Sequence, residues 1–137
     1  MIKVFLDANI FFAAAGSRIG GSALILELAK KKKIKVVTVS YAFAEAERNI
    51  KSKLGSRSLA VHHRNILEVG PEIQSLDLLT LKGIWGLENI LPIKDIPILV
   101  GALFAKVEFL ITLDKKLKEI NLPFKILNPE SFLKTFF

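Results

Sequence analysis

The chain has 137 residues, the length of one domain, and 51% of them are hydrophobic, which favours a folded core over a disordered chain. It contains no cysteine, which excludes disulfides and thiolate metal sites and fits a reducing, cytoplasmic compartment. The formal net charge of +7 favours a polyanionic partner, nucleic acid first, although a need for solubility would explain the same charge.

The apolar pattern predicts neither a leader peptide nor a membrane segment. Asp7 and Asn9 interrupt the first apolar stretch, so it does not resemble a signal peptide. The longest apolar stretch contains Pro97, Lys106 and Glu108, and its uninterrupted part is too short to span a bilayer. We therefore expect a soluble protein with no membrane partner, folded as a single domain over residues 1–137.

Apolar runs and helical periodicity alternate along the chain. The apolar runs predict buried strands at Val4–Leu6, Lys35–Val39, Phe109–Thr112 and Phe124–Leu127. Capped or amphipathic stretches predict helices at Ser22–Lys32, Ser40–Lys53, Ser58–Val69, 94–107, Lys115–Ile120 and from Pro129 onward. Ser22 is the candidate N-cap of the first of these helices. The stretch Glu72–Asn89 predicts only helix fragments with turns. Strands that alternate with helices indicate a parallel sheet covered by helices.

Acidic residues stand beside these predicted elements. Asp7 directly follows the first strand, and Asp114 closely follows the Phe109–Thr112 strand. Glu45 lies early in the helix after the second strand, and Asp95 lies in the first turn of its own helix. Because parallel strands bring their carboxyl ends to one edge of a sheet, we expect these acids to converge. Crowded carboxylates are stable mainly around a cation, and oxygen ligands suit Mg²⁺ or Mn²⁺, which can activate water and clamp a phosphodiester.

Three of these acids also have ordinary structural interpretations. An aspartate in a first helical turn, such as Asp95, commonly stabilises the helix dipole. Asp114 is suited to cap a short helix. Glu45 stands three residues before Arg48, the spacing of a surface ion pair. Asp7 fits none of these interpretations, and the coincidence of all four acids at one sheet edge favours a shared site.

Four acidic segments resemble the motifs of PIN-domain ribonucleases, in the family's order. They are Phe5–Phe11 around Asp7, Glu45 with Arg48-Asn49-Ile50, Leu91–Leu99 around Asp95, and Leu110–Lys116 around Asp114. The closing stretch Ile126–Leu133 is similar to the family's last strand and helix. The resemblance spans nearly the whole chain. It implies an α/β fold, a Rossmann-like α/β/α sandwich with a central parallel sheet, and divalent-metal endoribonuclease activity.

The same resemblance assigns roles by position. The catalytic acids would be Asp7, Glu45, Asp95 and Asp114. The three aspartates would hold Mg²⁺ or Mn²⁺, and Glu45 would be a further ligand or a base that positions water. Asn9 and Thr112 would orient acids or water by hydrogen bonds. Glu47 competes with Glu45 for the second motif, but the spacing to Arg48 and Asn49 favours Glu45.

Basic residues in and just after the second motif predict an RNA-binding surface. They are Arg48, Lys51, Lys53 and Arg57. A pocket of acids needs positive charge nearby if it is to admit a polyanion such as RNA. The family resemblance also implies the toxin half of a toxin–antitoxin pair, restrained by a small antitoxin protein. A chain this apolar is further expected to bury part of its surface in a homodimer.

Two other functions stay open. Lys115 and Lys116 stand where many family members have a further acid, which suggests a PIN-like module that binds RNA or protein without cutting it. An aspartate after the first strand is also typical of haloacid dehalogenase-type phosphatases, but Asn9 stands where these enzymes need a second carboxylate. The adjacent residues His62 and His63 point about 100° apart on a helix, so we expect surface histidines and no metal site there.

Overall fold

The computed structural model describes residues 1–75, 95–115 and 122–137. Its strands are β1 (Ile2–Leu6), β2 (Ile34–Val39), β3 (Glu72–Gln74), β4 (Phe109–Ile111) and β5 (Lys125–Leu127). Its helices are α1 (Ala8–Gly16), α2 (Gly21–Lys30), α3 (Ser40–Lys53), α4 (Ser56–Val69), α5 (Ile96–Ala105) and α6 (Pro129–Phe136). The strands form one parallel sheet in the order β3-β2-β1-β4-β5. The predicted α/β fold with a central parallel sheet is confirmed.

The central strand β1 is buried along its whole second half. Val4, Phe5 and Leu6 have no exposed surface, which requires that both faces of the sheet be covered. The chain leaves β1 toward β2 on one side and returns to β4 on the other. The carboxyl ends of β1 and β4 therefore form a topological switch point, where open parallel sheets hold their ligands.

One strand in the described residues was missed by the sequence patterns. β3 covers Glu72–Gln74, in a stretch predicted as helix fragments with turns. Its three residues include two polar side chains, so it has no strand pattern of its own and depends on its pairing with β2. Nearly all of the remainder of that stretch, including Gly83–Asn89, lies outside the described residues. Most of the helix predicted at Lys115–Ile120 also lies outside them.

The helices α1 and α2 follow one another and pack together. α2 begins at Gly21 with Gly20 as its N-cap, so the capping role predicted for Ser22 is wrong. The two helices are bent by 100°, and as a pair they meet the length and composition of a membrane span. No single helix within the described ranges is long and apolar enough to cross a membrane.

His62 is buried, which corrects the expectation of two surface histidines. Its ring has no exposed surface and packs against the rings of Phe11, at 6.1 Å, and Phe43, at 5.7 Å. It lies on the buried stripe of α4 with Asn65 and Val69, at helical spacing. Adjacent histidines point in different directions, so His63 remains exposed while its neighbour enters the core.

Neither ring nitrogen of His62 has a hydrogen-bond partner within the described residues. We therefore expect His62→Leu to raise the free energy of unfolding by about 1–2 kcal/mol, since a buried polar group without a partner costs about that much. Burial lowers the pKa of His62, with a smaller contribution from His63. Below about pH 6.5 the unfolded chain therefore binds more protons at His62 than the folded chain does. As the pH falls through that value, wild type loses stability through His62, and the leucine variant has no such loss.

Urea unfolding of wild type, His62→Leu and the surface control His63→Gln, at about pH 7.5 and 5.5, measures both effects. The advantage of the leucine variant should widen at the lower pH, and the control should change little at either. A leucine variant less stable than wild type at the higher pH would show that the ring makes a favourable contact that offsets its bare nitrogens.

Candidate active site

Acidic side chains from distant parts of the chain line one cavity of about 280 Å³ at the switch point. They are Asp7, Glu45, Asp95 and Asp114. Asp7 follows β1, Glu45 lies on α3, Asp95 precedes α5, and Asp114 follows β4. The structure thus brings together the four acids that the sequence analysis selected.

Asp7 is held in one orientation by its neighbours. One carboxylate oxygen, Oδ1, accepts a hydrogen bond from the backbone N–H of Ala8 at 2.7 Å, which caps α1. The other, Oδ2, accepts from the Thr112 hydroxyl at 2.8 Å and lies 3.5 Å from Nδ2 of Asn9. The side chain is only 8% exposed. A carboxylate so enclosed cannot turn away from its neighbours.

Burial raises the pKa of Asp7 above its usual range. The hydrogen bonds from Thr112 and Ala8 oppose this shift because they favour the charged form, and the charges of Glu45 and Asp95 add to it. Glu45 and Asp95 therefore repel the charged form of Asp7 across the cavity. A bound cation would relieve that repulsion.

The Thr112 hydroxyl joins both sides of the switch point. While it donates to Asp7, its oxygen accepts from Nδ2 of Asn9 at 3.2 Å and from the backbone N–H of Asp114 at 3.1 Å. Asn9 also accepts from the backbone N–H of Leu113 at 3.1 Å. These bonds tie the start of α1 to the chain that leaves β4, so they fix Asp7 relative to Asp114.

One face of α3 forms a wall of the cavity. Glu45, Asn49 and Lys53 follow one another at intervals of four residues, and all three line it. Asn49 was not among the predicted site residues, although its spacing from Glu45 is the signal that places it on this face. Within the described residues no ion pair joins Glu45 to Arg48, so the surface-pair interpretation finds no support.

The predicted RNA-binding residues divide into two groups. Lys53 lines the cavity, whereas Arg48, Lys51 and Arg57 are exposed outside it. The competing acid Glu47 also lies outside the lining, and it contacts Nε2 of His63 at 2.9 Å.

Asp95 occupies the N-cap position of α5 and is 8% exposed, but it makes no capping hydrogen bond. Its position depends on how closely α5 approaches the sheet. Gly101 makes that approach possible, because a Cβ atom at this position would collide with Val39 and crowd Phe5. The close contact of α5 with β1 and β2 therefore sets where Asp95 stands at the rim of the cavity.

The donor chemistry of the cavity fits a hard divalent cation. Its charged ligands are all carboxylates, the type that Mg²⁺ and Mn²⁺ take. Within the described ranges no three acidic or histidine side chains are close enough together to form a compact metal cage. Mg²⁺ commonly keeps several waters and uses one or two carboxylates, so an open arrangement is compatible with it.

No family model and no curated protein matches the sequence. Among solved structures, the chain is similar to VapBC2 from Rickettsia felis, which was solved bound to a DNA fragment from the VapBC2 promoter. The TM-score is 0.72 and the sequence identity is 18%, over 93% of this chain and 98% of that one. It is also similar to VapC20 from Mycobacterium tuberculosis, a Sarcin-Ricin loop cleaving toxin, with a TM-score of 0.58 and 15% identity over 78% and 86% of the two chains. The chain has a PIN-domain fold.

A third similar structure extends this PIN-domain comparison. PAE2754 from Pyrobaculum aerophilum aligns with a TM-score of 0.64 and 18% identity over 98% of this chain and 88% of that one. Because every sequence identity is below one fifth, these similarities establish the PIN fold alone. The chemistry of the site follows from the residues that line the cavity.

Proposed function

We propose that this protein is an endoribonuclease that depends on Mg²⁺ or Mn²⁺ and acts as the toxin of a toxin–antitoxin pair. The observation that carries the proposal is the cavity at the switch point, which is lined by four carboxylates from four parts of the chain. Keeping mutually repelling carboxylates together costs stability, and a site that binds a cation explains why the fold retains them.

Two of the similar structures support the proposed RNA substrate and the proposed antitoxin partner. VapC20 from M. tuberculosis is a Sarcin-Ricin loop cleaving toxin, which supports RNA as the substrate class here. VapBC2 from R. felis supports an antitoxin partner. Within this chain, Lys53 provides positive charge at the wall of an otherwise acidic cavity, as a polyanionic substrate requires.

The residues of the chain have distinct tasks in this proposal. Thr112 and Asn9 hold the carboxylate of Asp7 toward the cavity, so that no reorientation is needed when substrate arrives. Lys53 attracts the phosphodiester, and Glu45 on the same helix face holds a water or a cation. A bound Mg²⁺ or Mn²⁺ would supply charge neutralisation of the phosphate and would make water a better nucleophile.

The acids Glu45 and Glu47 provide a matched test. Purified wild type, Glu45→Gln and Glu47→Gln would be assayed on a fluorogenic single-stranded RNA with Mg²⁺, Mn²⁺ or EDTA. Wild type should cleave only with metal, and Glu45→Gln should lose about 10- to 100-fold, the usual range for a residue that supports a metal site. Glu47→Gln should cleave like wild type, because Glu47 is not among the residues that line the cavity and contacts His63 instead.

Cleavage that persists in EDTA would contradict metal dependence. Equal losses in both glutamine variants would contradict the assignment of Glu45 to the site. Folded wild-type protein that binds RNA but cuts it with neither metal would favour the non-catalytic RNA-binding module.

A further inference from the structure

A second cavity of about 460 Å³ adjoins the acidic one. Thr112 lines it and separates the two cavities, since its hydroxyl contacts Asp7 on the acidic side. Its other walls are the turn before α2, the first residues of α2, the chain after β4 and the start of α6. A volume of this size is within the usual range for small-ligand sites of about 300–1,000 Å³.

The start of α2 presents unused polar groups to this cavity. Gly20, the N-cap, has no side chain to cap the helix, so the first amide N–H groups of α2 lack helical partners. Ser22 also lines the cavity and is only 6% exposed. Its hydroxyl can donate one hydrogen bond and accept others, so it is a polar group that a ligand in this cavity could use.

The remaining lining is mostly apolar with two opposite charges. Ala13, Leu113 and Pro129 give flat apolar surface, while Lys115 and Glu130 are the charged residues. Because these two charges cancel, the side chains of the lining carry no net charge. Asn128 also lines the cavity, but its side chain already accepts from the backbone N–H of Ser131 at 2.8 Å and caps α6.

We infer that this cavity binds one nucleobase of the RNA strand, beside the phosphodiester that is cut in the acidic cavity. The inference rests on the proposed function, since it places one nucleotide across the Thr112 wall. Proteins that read single-stranded RNA take bases out of the stack, cover their faces with apolar groups and hydrogen-bond their edges. Three side chains of the lining can bond to the edge of a base. The Ser22 hydroxyl can donate or accept, the Lys115 ammonium can donate, and the Glu130 carboxylate can accept.

Lys115 gains a role in this arrangement. It is one of the residues that line the adjoining cavity. Its ammonium group is a donor that can contact the edge of a base. We expect the base in this cavity to determine which RNA sequences are cut.

The cavity can be blocked without touching the acids. Gly20 lines it in an extended conformation, with φ −75° and ψ 168°, which any residue adopts. A Cβ atom there would have only the Ser17 side chain within 4 Å, at 3.7 Å or more. Gly20→Phe should therefore fold normally and fill the cavity. Ile19→Phe is the matched control, because Ile19 is 90% exposed and outside the lining.

The first measurement is cleavage of a randomised single-stranded RNA pool, with the product ends sequenced. Wild type should prefer one base at a fixed position by about 10-fold or more, in the range that pocket contacts supply. Gly20→Phe should reduce that preference to about 2-fold, and Ser22→Ala should weaken it, while Ile19→Phe should retain it. A wild type without preference, or a preference that survives both Gly20→Phe and Ser22→Ala, would overturn the inference and leave the nuclease proposal intact.

A second measurement does not depend on cleavage. Nucleoside 5′-monophosphates, titrated in EDTA, should shift the backbone amide signals of Gly21 and Ser22 in wild type and Ile19→Phe, but not in Gly20→Phe. If no RNA is cut under any condition, the nuclease proposal fails, and these shifts alone decide whether the cavity binds a base. Absence of shifts in wild type would overturn the inference.

Discussion

Asp7→Asn is expected to lower RNA cleavage at least about 100-fold, because even residues that only support metal ligands usually contribute about 10- to 100-fold. The same change should raise the free energy of unfolding at neutral pH. Asparagine keeps the oxygen that caps α1 and nearly the same shape, while it removes the charge that Glu45 and Asp95 repel. Loss of activity with a gain of stability is the mark of a residue kept for function.

The pH dependence of this gain has a definite sign. Burial raises the pKa of Asp7 above the ordinary aspartate value of 3.8, so between 3.8 and the raised pKa the folded chain binds more protons than the unfolded chain. Stability contributed by the protonated carboxyl is therefore complete below pH 3.8 and is lost as the pH rises through the folded pKa. The advantage of Asp7→Asn should be greatest at neutral pH and should shrink on acidification.

Urea unfolding at several pH values, with cleavage measured on the same preparations, tests both parts. Glu108→Gln is the control, since Glu108 is an exposed carboxylate before β4, at the opposite edge of the sheet. Mn²⁺ should raise the melting temperature of wild type and not that of Asp7→Asn. A variant that is both inactive and less stable would indicate that Asp7 is a structural cap, and a variant that cleaves like wild type would contradict the proposed site.

The sequence predicted the centre of the fold because the signal there is local. Val4, Phe5 and Leu6 form a continuous apolar run. Such a run is typical of a strand that is buried on both faces of a parallel sheet. A charge directly after that run marks the strand's carboxyl end. Since every strand in the sheet is parallel, the other acids had to meet Asp7 at the same edge.

The residues that were missed depend on contacts between distant segments. Three-residue β3 is a strand only because β2 pairs with it. His62 is buried by α1 and α3, and nothing in the local sequence distinguishes it from its exposed neighbour. Ser22 looked like a helix cap, and only the packed fold shows that Gly20 takes that position and that Ser22 lines a cavity.

The position of Asp95 depends on a residue one and a half turns into α5, and this gives the second large effect. We expect Gly101→Ala to lower the free energy of unfolding by about 3 kcal/mol, the upper part of the range for overpacked cores, and the melting temperature by about 10 °C. The new Cβ atom would meet Val39 and lie 3.1 Å from Cε2 of Phe5. Val39 is branched at Cβ and buried, so it has no free direction in which to move.

Gly16→Ala is the matched control. Gly16 is also a helical glycine, but a Cβ atom there would make an ordinary contact, 3.4 Å from Cδ1 of Leu54, so this change should be neutral or stabilising by up to about 1 kcal/mol. Thermal unfolding and RNA cleavage of both variants would be compared at a temperature where each is folded. Because relief of the collision must push α5 outward and take Asp95 with it, folded Gly101→Ala should also cleave more slowly than wild type. A Gly101→Ala variant with lower stability but full activity would show that the cavity tolerates movement of α5. A variant with unchanged stability would show that Val39 and Phe5 can move to make room for the new Cβ atom.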